Sequence, residues 1–169
     1  MSDIPGLLRD RGWRQCDRVD PACNASLIAR SIDRRPSVEA GAMILFMLSQ
    51  DCDIVGSEAK EPFLELIAAR GIGSVSGDCQ LGRNPRILHL EFDSEIIELS
   101  IHDRFRVRKG DFTSALRSSA GQLAKEQRDI LKRWVGRRYL RVPFPDEFNN
   151  RLKGNEKRIA QFDKSPEAK

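Results

Sequence analysis

Apolar and polar positions change their rhythm twice along the chain. Ile4, Leu7 and Leu8 follow a helical spacing that ends before Gly12, with Trp13 just beyond. Asp20-Pro21 and Arg35-Pro36 mark turns, and the stretch between them predicts a strand at Ser26–Ser31. Ala42–Leu48 is almost continuously apolar, short, and preceded by Gly41, the pattern of a buried central strand. Phe63, Leu64, Leu66 and Ile67 fit either a strand or a short helix over Glu61–Ile67, and the glycine-rich stretch Gly71–Gly82 reads as an irregular loop.

The strongest period-two signal follows. Arg86–Phe92 and Glu95–Ile101 alternate around Asp93-Ser94, which predicts a hairpin with a two-residue turn. That turn sets a register in which Leu88 faces Leu99, His89 faces Glu98 and Leu90 faces Ile97. Leu88, Leu90, Ile97 and Leu99 then share the buried side. His89, Glu91, Glu98 and Ser100 share the solvent side, where His89 is either half of a cross-strand His/Glu pair or a surface acid-base group. His102 falls opposite Pro85 in the same register, roughly 13 Å from His89 at about 3.3 Å per residue, too far to act jointly on one phosphate.

From Phe112 the period becomes helical: Phe112, Leu116, Ala120, Leu123, Ile130, Leu131 and Trp134 form a stripe interrupted at Gln127. Asp111 is placed to cap this helix and Gly136 to end it. About 24 helical residues would span roughly 36 Å, enough to cross one side of a small barrel or sheet. Pro143-Phe144-Pro145-Asp146 redirects the chain, and the residues after Gly154 are polar. The resulting expectation is an α+β fold: a small SH3-like or curled antiparallel β-barrel with a long C-terminal helix. It divides into a β-rich body at 1–110, a packed helix and basic C-terminal anchor at 111–153, and a polar tail at 154–169.

Composition adds one asymmetry to this outline. The 169 residues carry a net charge of +4. Residues 1–104 hold 12 Lys/Arg and 17 Asp/Glu, net −5, whereas residues 105–169 hold 17 and 8, net +9. With the apolar stripe turned inward, Lys125, Arg128, Lys132 and Arg133 form a basic ridge continued by Arg137, Arg138 and Arg141. Arg128, Lys132, Arg133, Arg137, Arg138, Tyr139 and Arg141 are therefore the expected nucleic-acid-binding set, with Tyr139 a candidate for base stacking and Trp134 a core residue.

Ser49-Gln50-Asp51-Cys52-Asp53, directly after the most apolar segment, is the sharpest polar cluster. A thiol between carboxylates is a poor nucleophile. Asp51 and Asp53 point the same way if the chain is extended; they then cap backbone groups, bind substrate, or join Glu61 or Glu65 around a hard cation. Arg83 and Arg86 suit either a phosphate or a carboxylate. Asp51, Asp53, Arg86 and His89 are the candidate catalytic residues.

Cys16, Cys23, Cys52 and Cys79 form no CxxC pair, and no GxGxxG, Walker, HExxH or GxSxG motif occurs, so no metal or other cofactor is predicted. The longest apolar run is far below the roughly 20 residues of a membrane span, and the N-terminus has no apolar leader, so cytoplasmic residence without membrane contact is expected.

Gly12-Trp13-Arg14-Gln15-Cys16-Asp17, Ser49-Gln50-Asp51-Cys52-Asp53-Ile54, Arg83-Asn84-Pro85-Arg86 and Trp134–Arg141 together resemble a bacterial family to which no activity attaches. More remotely, an early turn followed by a strand ending in serine resembles the PemK-like growth-inhibitor toxins. That resemblance implies an SH3-like barrel and RNA cleavage. The glycine of that family's Gly-Asp turn falls here at Cys16, before Asp17, and its Arg-Pro at Arg35-Pro36. The basic charge of residues 105–169 points to a nucleic-acid or nucleoprotein interaction module, and the resemblances imply a bacterial defence, toxin or mobile-element setting for it. A small endoribonuclease and a protein inhibitor of a nucleic-acid-processing enzyme are the alternatives. The expected partner is RNA or DNA, or a nucleic-acid-processing protein, and a homodimer stays open.

Overall fold

A computed structural model describes residues 3–33, 35–38, 43–119 and 123–139. Its elements are α1 (Ile4–Asp10), α2 (Asn24–Ala29), β1 (Met43–Met47), α3 (Asp51–Ile54), β2 (Phe63–Ile72), β3 (Ile87–Phe92), β4 (Glu95–Arg108), α4 (Lys109–Phe112) and α5 (Lys125–Tyr139). Short 3-10 turns occupy Pro21–Cys23 and Gly77–Gly82.

The four strands form one antiparallel sheet in the order β1-β2-β4-β3. β1 and β3 are its two ends and do not pair with each other, so the sheet is open and the expected SH3-like or curled barrel is not formed. The reason lies in how the core divides. A small barrel buries one inner face, whereas this sheet buries both. On one side Leu45, Leu64, Leu66, Phe105 and Val107 pack with Leu8, Trp13, Leu27, Ile54 and Phe112 from the short helices and turns. On the other, Phe46, Ile67, Leu88, Leu90, Ile97 and Leu99 pack with Leu123, Ile130, Leu131 and Trp134. Two covered faces need helical layers on both sides, which closure would forbid.

A bulge makes this division possible. β2 pairs Ile67 with Arg104 and then Ala69 with Leu99, so β2 advances two residues where β4 advances five. The odd offset reverses the facing of β4. Ile97, Leu99 and Ile101 therefore join one core while Phe105 and Val107 join the other, although all lie at alternate positions. Asp103, buried in the bulge, accepts hydrogen bonds from the backbone N–H and hydroxyl of Ser37 at 2.8 and 2.7 Å.

The outer edge of β1 is also occupied. Cys16 N–H donates to Met47 O, Met47 N–H to Asp17 O, and Val19 N–H to Leu45 O. Beyond that ribbon, Asp20 N–H donates to Leu116 O and Ser118 N–H to Arg18 O. This second pairing explains why the predicted helix from Phe112 is broken. Phe112 ends α4, the residues around Leu116 are drawn beside Arg18–Asp20, and the next helix starts at Lys125. Leu116 is 57% exposed rather than part of the buried stripe. Asp111 lies within α4 and Gly136 within α5, so neither acts as the expected terminus.

Two other expectations change. The strand expected at Ser26–Ser31 is α2, because Asp20 caps the Pro21–Cys23 turn and feeds a helix that buries Asn24 and Leu27 at i, i+3 spacing. Of the two readings of Glu61–Ile67, the strand forms, and it runs on to Ile72, through the start of the expected loop. The hairpin register is as read: Leu88–Leu99, His89–Glu98 and Leu90–Ile97 are the pairs. Asp93 and Ser94 both take positive φ, 52° and 66°, the turn geometry that follows strand twist. Among the described residues, no helix is long and apolar enough to cross a membrane.

Candidate functional site

The four residues proposed from sequence as catalytic do not converge. Asp51 and Asp53 follow β1 and His89 lies on β3, at opposite ends of the sheet. Three strand spacings of about 4.8 Å put some 14 Å between those ends. Asp51–Ile54 is a helical turn, so the two carboxylates diverge instead of pointing together as an extended chain would have them. Asp51 accepts the Gln15 N–H at 2.7 Å and thereby holds the turn before Cys16. Asp53 accepts a weak hydrogen bond from the Cys52 thiol at 3.2 Å, which pushes the pKa of that exposed thiol up. Among the described residues, no group of three or more His, Cys, Asp or Glu could hold a metal ion.

His89 is not on the solvent side. It is 8% exposed, because the stretch ending in the Gly77–Gly82 turn folds over β3. Its Nδ1 accepts the Ser76 N–H at 3.1 Å and its Nε2 faces Glu98 Oε2 at 3.1 Å. These contacts assign the Nε2–H tautomer, with the lone pair already used. Arg70 donates to the other Glu98 oxygen at 2.5 Å. Burial opposes the charge on Glu98, but hydrogen bonds from His89 and Arg70 prevail and hold its pKa below the ordinary carboxylate value. The trio is a cross-strand network in which both ring nitrogens of His89 and both carboxylate oxygens of Glu98 have partners. Arg86 is exposed, with its N–H bonded to Asn84 Oδ1 at 2.8 Å.

Lys109 escaped the sequence reading. It is fully buried, and its Nζ donates to Asp53 O at 2.5 Å and Gly56 O at 2.6 Å, closing the end of α3. Burial pulls its pKa down, against the attraction of Glu61, Asp53 and Glu58. The signal was present in the pattern: the alternation Phe105, Val107 continues inward onto residue 109.

The basic helix is the feature that assembles. Leu123, Ile130, Leu131 and Trp134 are sealed against the sheet, so the cations of α5 fall to its flanks and outer side. Arg128 and Lys132 lie toward Cys16, where their charges oppose the burial that raises the thiol to about 11; Asp17 and Asp51 add to the rise. Arg133 and Arg137 are exposed along the other flank. Arg137 donates to Gly82 O at 3.2 Å, and Trp134 Nε1 to Asn84 O at 2.8 Å. These two bonds bring the loop carrying Arg83 and Arg86 against the second half of α5.

Gly82 sits at φ +71°, where an added Cβ would lie 3.4 Å from Trp134 Cβ, so glycine suits both the turn and the approach. Lys125 pairs with Asp129 at 3.3 Å, which removes one cation from the free set. The side chains of Arg138 and Tyr139, together with Arg141 and all of 140–169, lie outside the described residues.

Comparison with protein-family models, curated proteins and solved structures yields no match. The SH3-like barrel that the toxin resemblance implies is absent from the open sheet, and no matching protein supports a toxin or defence setting.

Proposed function

We propose that the protein is a non-enzymatic binding module whose basic face, built on α5 and the Gly82–Arg86 loop, engages the phosphates of a nucleic acid. The supporting observation is the anchoring of that helix. Its apolar side is buried in the second core, while Arg133 and Arg137 stand exposed on the flank tied to the loop of Arg83 and Arg86, and Arg128 and Lys132 lie on the flank toward Cys16. Cations held by a packed helix meet a polyanion without the ordering cost of a flexible tail. Arginine also offers paired donors to phosphate oxygens. The enzyme alternative lacks a free base at His89, whose ring nitrogens both have partners.

The test is salt-dependent binding of RNA, single-stranded DNA and duplex DNA, with product analysis of the same samples. Each phosphate neutralised on duplex DNA contributes about −0.9 to the slope of log K against log salt, so four engaged cations give about −4. The Arg133→Ala/Arg137→Ala variant is expected to lower that slope by about 2. A slope near zero with every nucleic acid defeats the reading. A stable protein complex without nucleic-acid affinity selects the inhibitor, and cleavage products select the endoribonuclease.

A further inference from the structure

A different surface lies at the other end of α5, where its first turn meets the tip of the β3–β4 hairpin. Val75 and Leu81 are 44% and 60% exposed, among the most exposed large apolar side chains described. They line a cavity of about 70 Å³ with Leu90, Ile96 and Ile130. One buried water needs only about 10–15 Å³ on the same measure, so the space suits an aliphatic side chain of a few heavy atoms. Leu81 is held there at φ +55°, a left-handed backbone region that disfavours any side chain and suits glycine.

The cavity shares Glu91, Ile96 and Gln127 with a wider recess at the hairpin tip, whose rim carries Glu91, Asp93, Glu95 and Glu126, all exposed. Of the nearby cations, Lys125 pairs with Asp129, and Arg18 lies over the Phe92 ring at 5.0 Å. An apolar slot with a carboxylate rim has the opposite character to the arginine-rich half of α5.

We infer that this slot docks a segment of a partner protein in which lysines or arginines flank one leucine, isoleucine or methionine. The aliphatic side chain enters between Val75, Leu81 and Ile96, and the flanking cations meet Glu91, Asp93, Glu95 and Glu126. Charge complementarity selects this occupant: the carboxylates repel nucleic acid and acidic peptides alike, while a purely apolar segment leaves the rim unpaired. The inference does not rest on nucleic-acid binding by the opposite half of the helix.

The experiment uses the full chain and three fluorescein-labelled peptides of equal length: alternating Lys and Leu, alternating Lys and Ser, and alternating Glu and Leu. The Lys/Leu peptide is expected to bind at least tenfold more tightly than the others. Leu81→Gly removes the apolar wall at a position where glycine takes the backbone angle freely, so the unfolding midpoint is kept or raised while peptide affinity falls at least tenfold. Glu91→Lys/Glu95→Lys is expected to weaken the same peptide at least tenfold, and Val75→Ser severalfold. Equal affinity for the three peptides, or unchanged affinity in folded Leu81→Gly, overturns the inference. Loss of nucleic-acid affinity in Leu81→Gly overturns the separation of the two surfaces; retention of it supports that separation, whichever way the basic face is decided.

Discussion

Trp134 donates its indole N–H to the backbone carbonyl of Asn84 at 2.8 Å, tying the buried side of α5 to the loop that carries Arg83 and Arg86. The same residue is both a core ring and a clamp. Trp134→Phe keeps most of the ring and loses the bond. A cost of about 1 kcal/mol is expected for that bond, together with weaker nucleic-acid binding as the loop loosens. Urea unfolding and a salt titration of the variant measure the two effects; unchanged nucleic-acid affinity would mean the loop does not contribute.

The His89–Glu98–Arg70 network predicts a pH dependence. The folded pKa of Glu98 lies below its ordinary value of 4.5, so native Glu98 holds its proton less tightly than unfolded Glu98. Its contribution is complete above the unfolded pKa and is lost as pH falls through the folded one. Glu98→Gln is expected to cost about 1 kcal/mol at neutral pH, a modest figure because Arg70 is largely exposed. The difference from the parent protein should shrink toward zero on acidification, as denaturant curves at the two pH values would reveal.

Lys109 has the opposite sign. Burial lowers its pKa from 10.5, so the unfolded chain binds the proton more readily and stability rises with pH in the window below that value. Lys109→Met leaves Asp53 O and Gly56 O without this donor, and a loss of about 1–3 kcal/mol at neutral pH is expected. The alkaline rise in stability should vanish in the variant. A rise that persists would assign it to another group.

Cys16 offers a reversal of the usual Ala/Gly order. It is buried at φ +70°, where a side chain costs about 1–2 kcal/mol and glycine does not. Cys16→Ala and Cys16→Gly both empty the thiol site, but only glycine relieves the backbone. Cys16→Gly should therefore be more stable than Cys16→Ala by about 1 kcal/mol in thermal or urea unfolding. The reverse order would show that the turn relaxes in the alanine variant.

How far each element could be read before folding depends on the range of the forces that make it. The β3–β4 register was legible because a two-residue turn and period-two alternation act within about fifteen residues. β1 followed from its continuous apolar run, and the second half of the C-terminal helix from Leu123, Ile130, Leu131 and Trp134. Capping of a backbone N–H by Asp51 is among the roles the sequence offers, but the common direction of Asp51 and Asp53 holds only for an extended chain and α3 turns there; the cover of His89 by Ser76 has no local signal.

Sheet closure, the bulge that divides β4 between two cores, and the break around Leu116 all depend on pairings between distant segments. Ser118 meets Arg18, and Ala69 meets Leu99, only after the intervening chain has folded. Local spacing specifies which side chains are apolar and in what rhythm. Which face they occupy, and which cations are left outside, follows from backbone hydrogen bonds made across the whole sheet, where tertiary pairing outweighs a helical period.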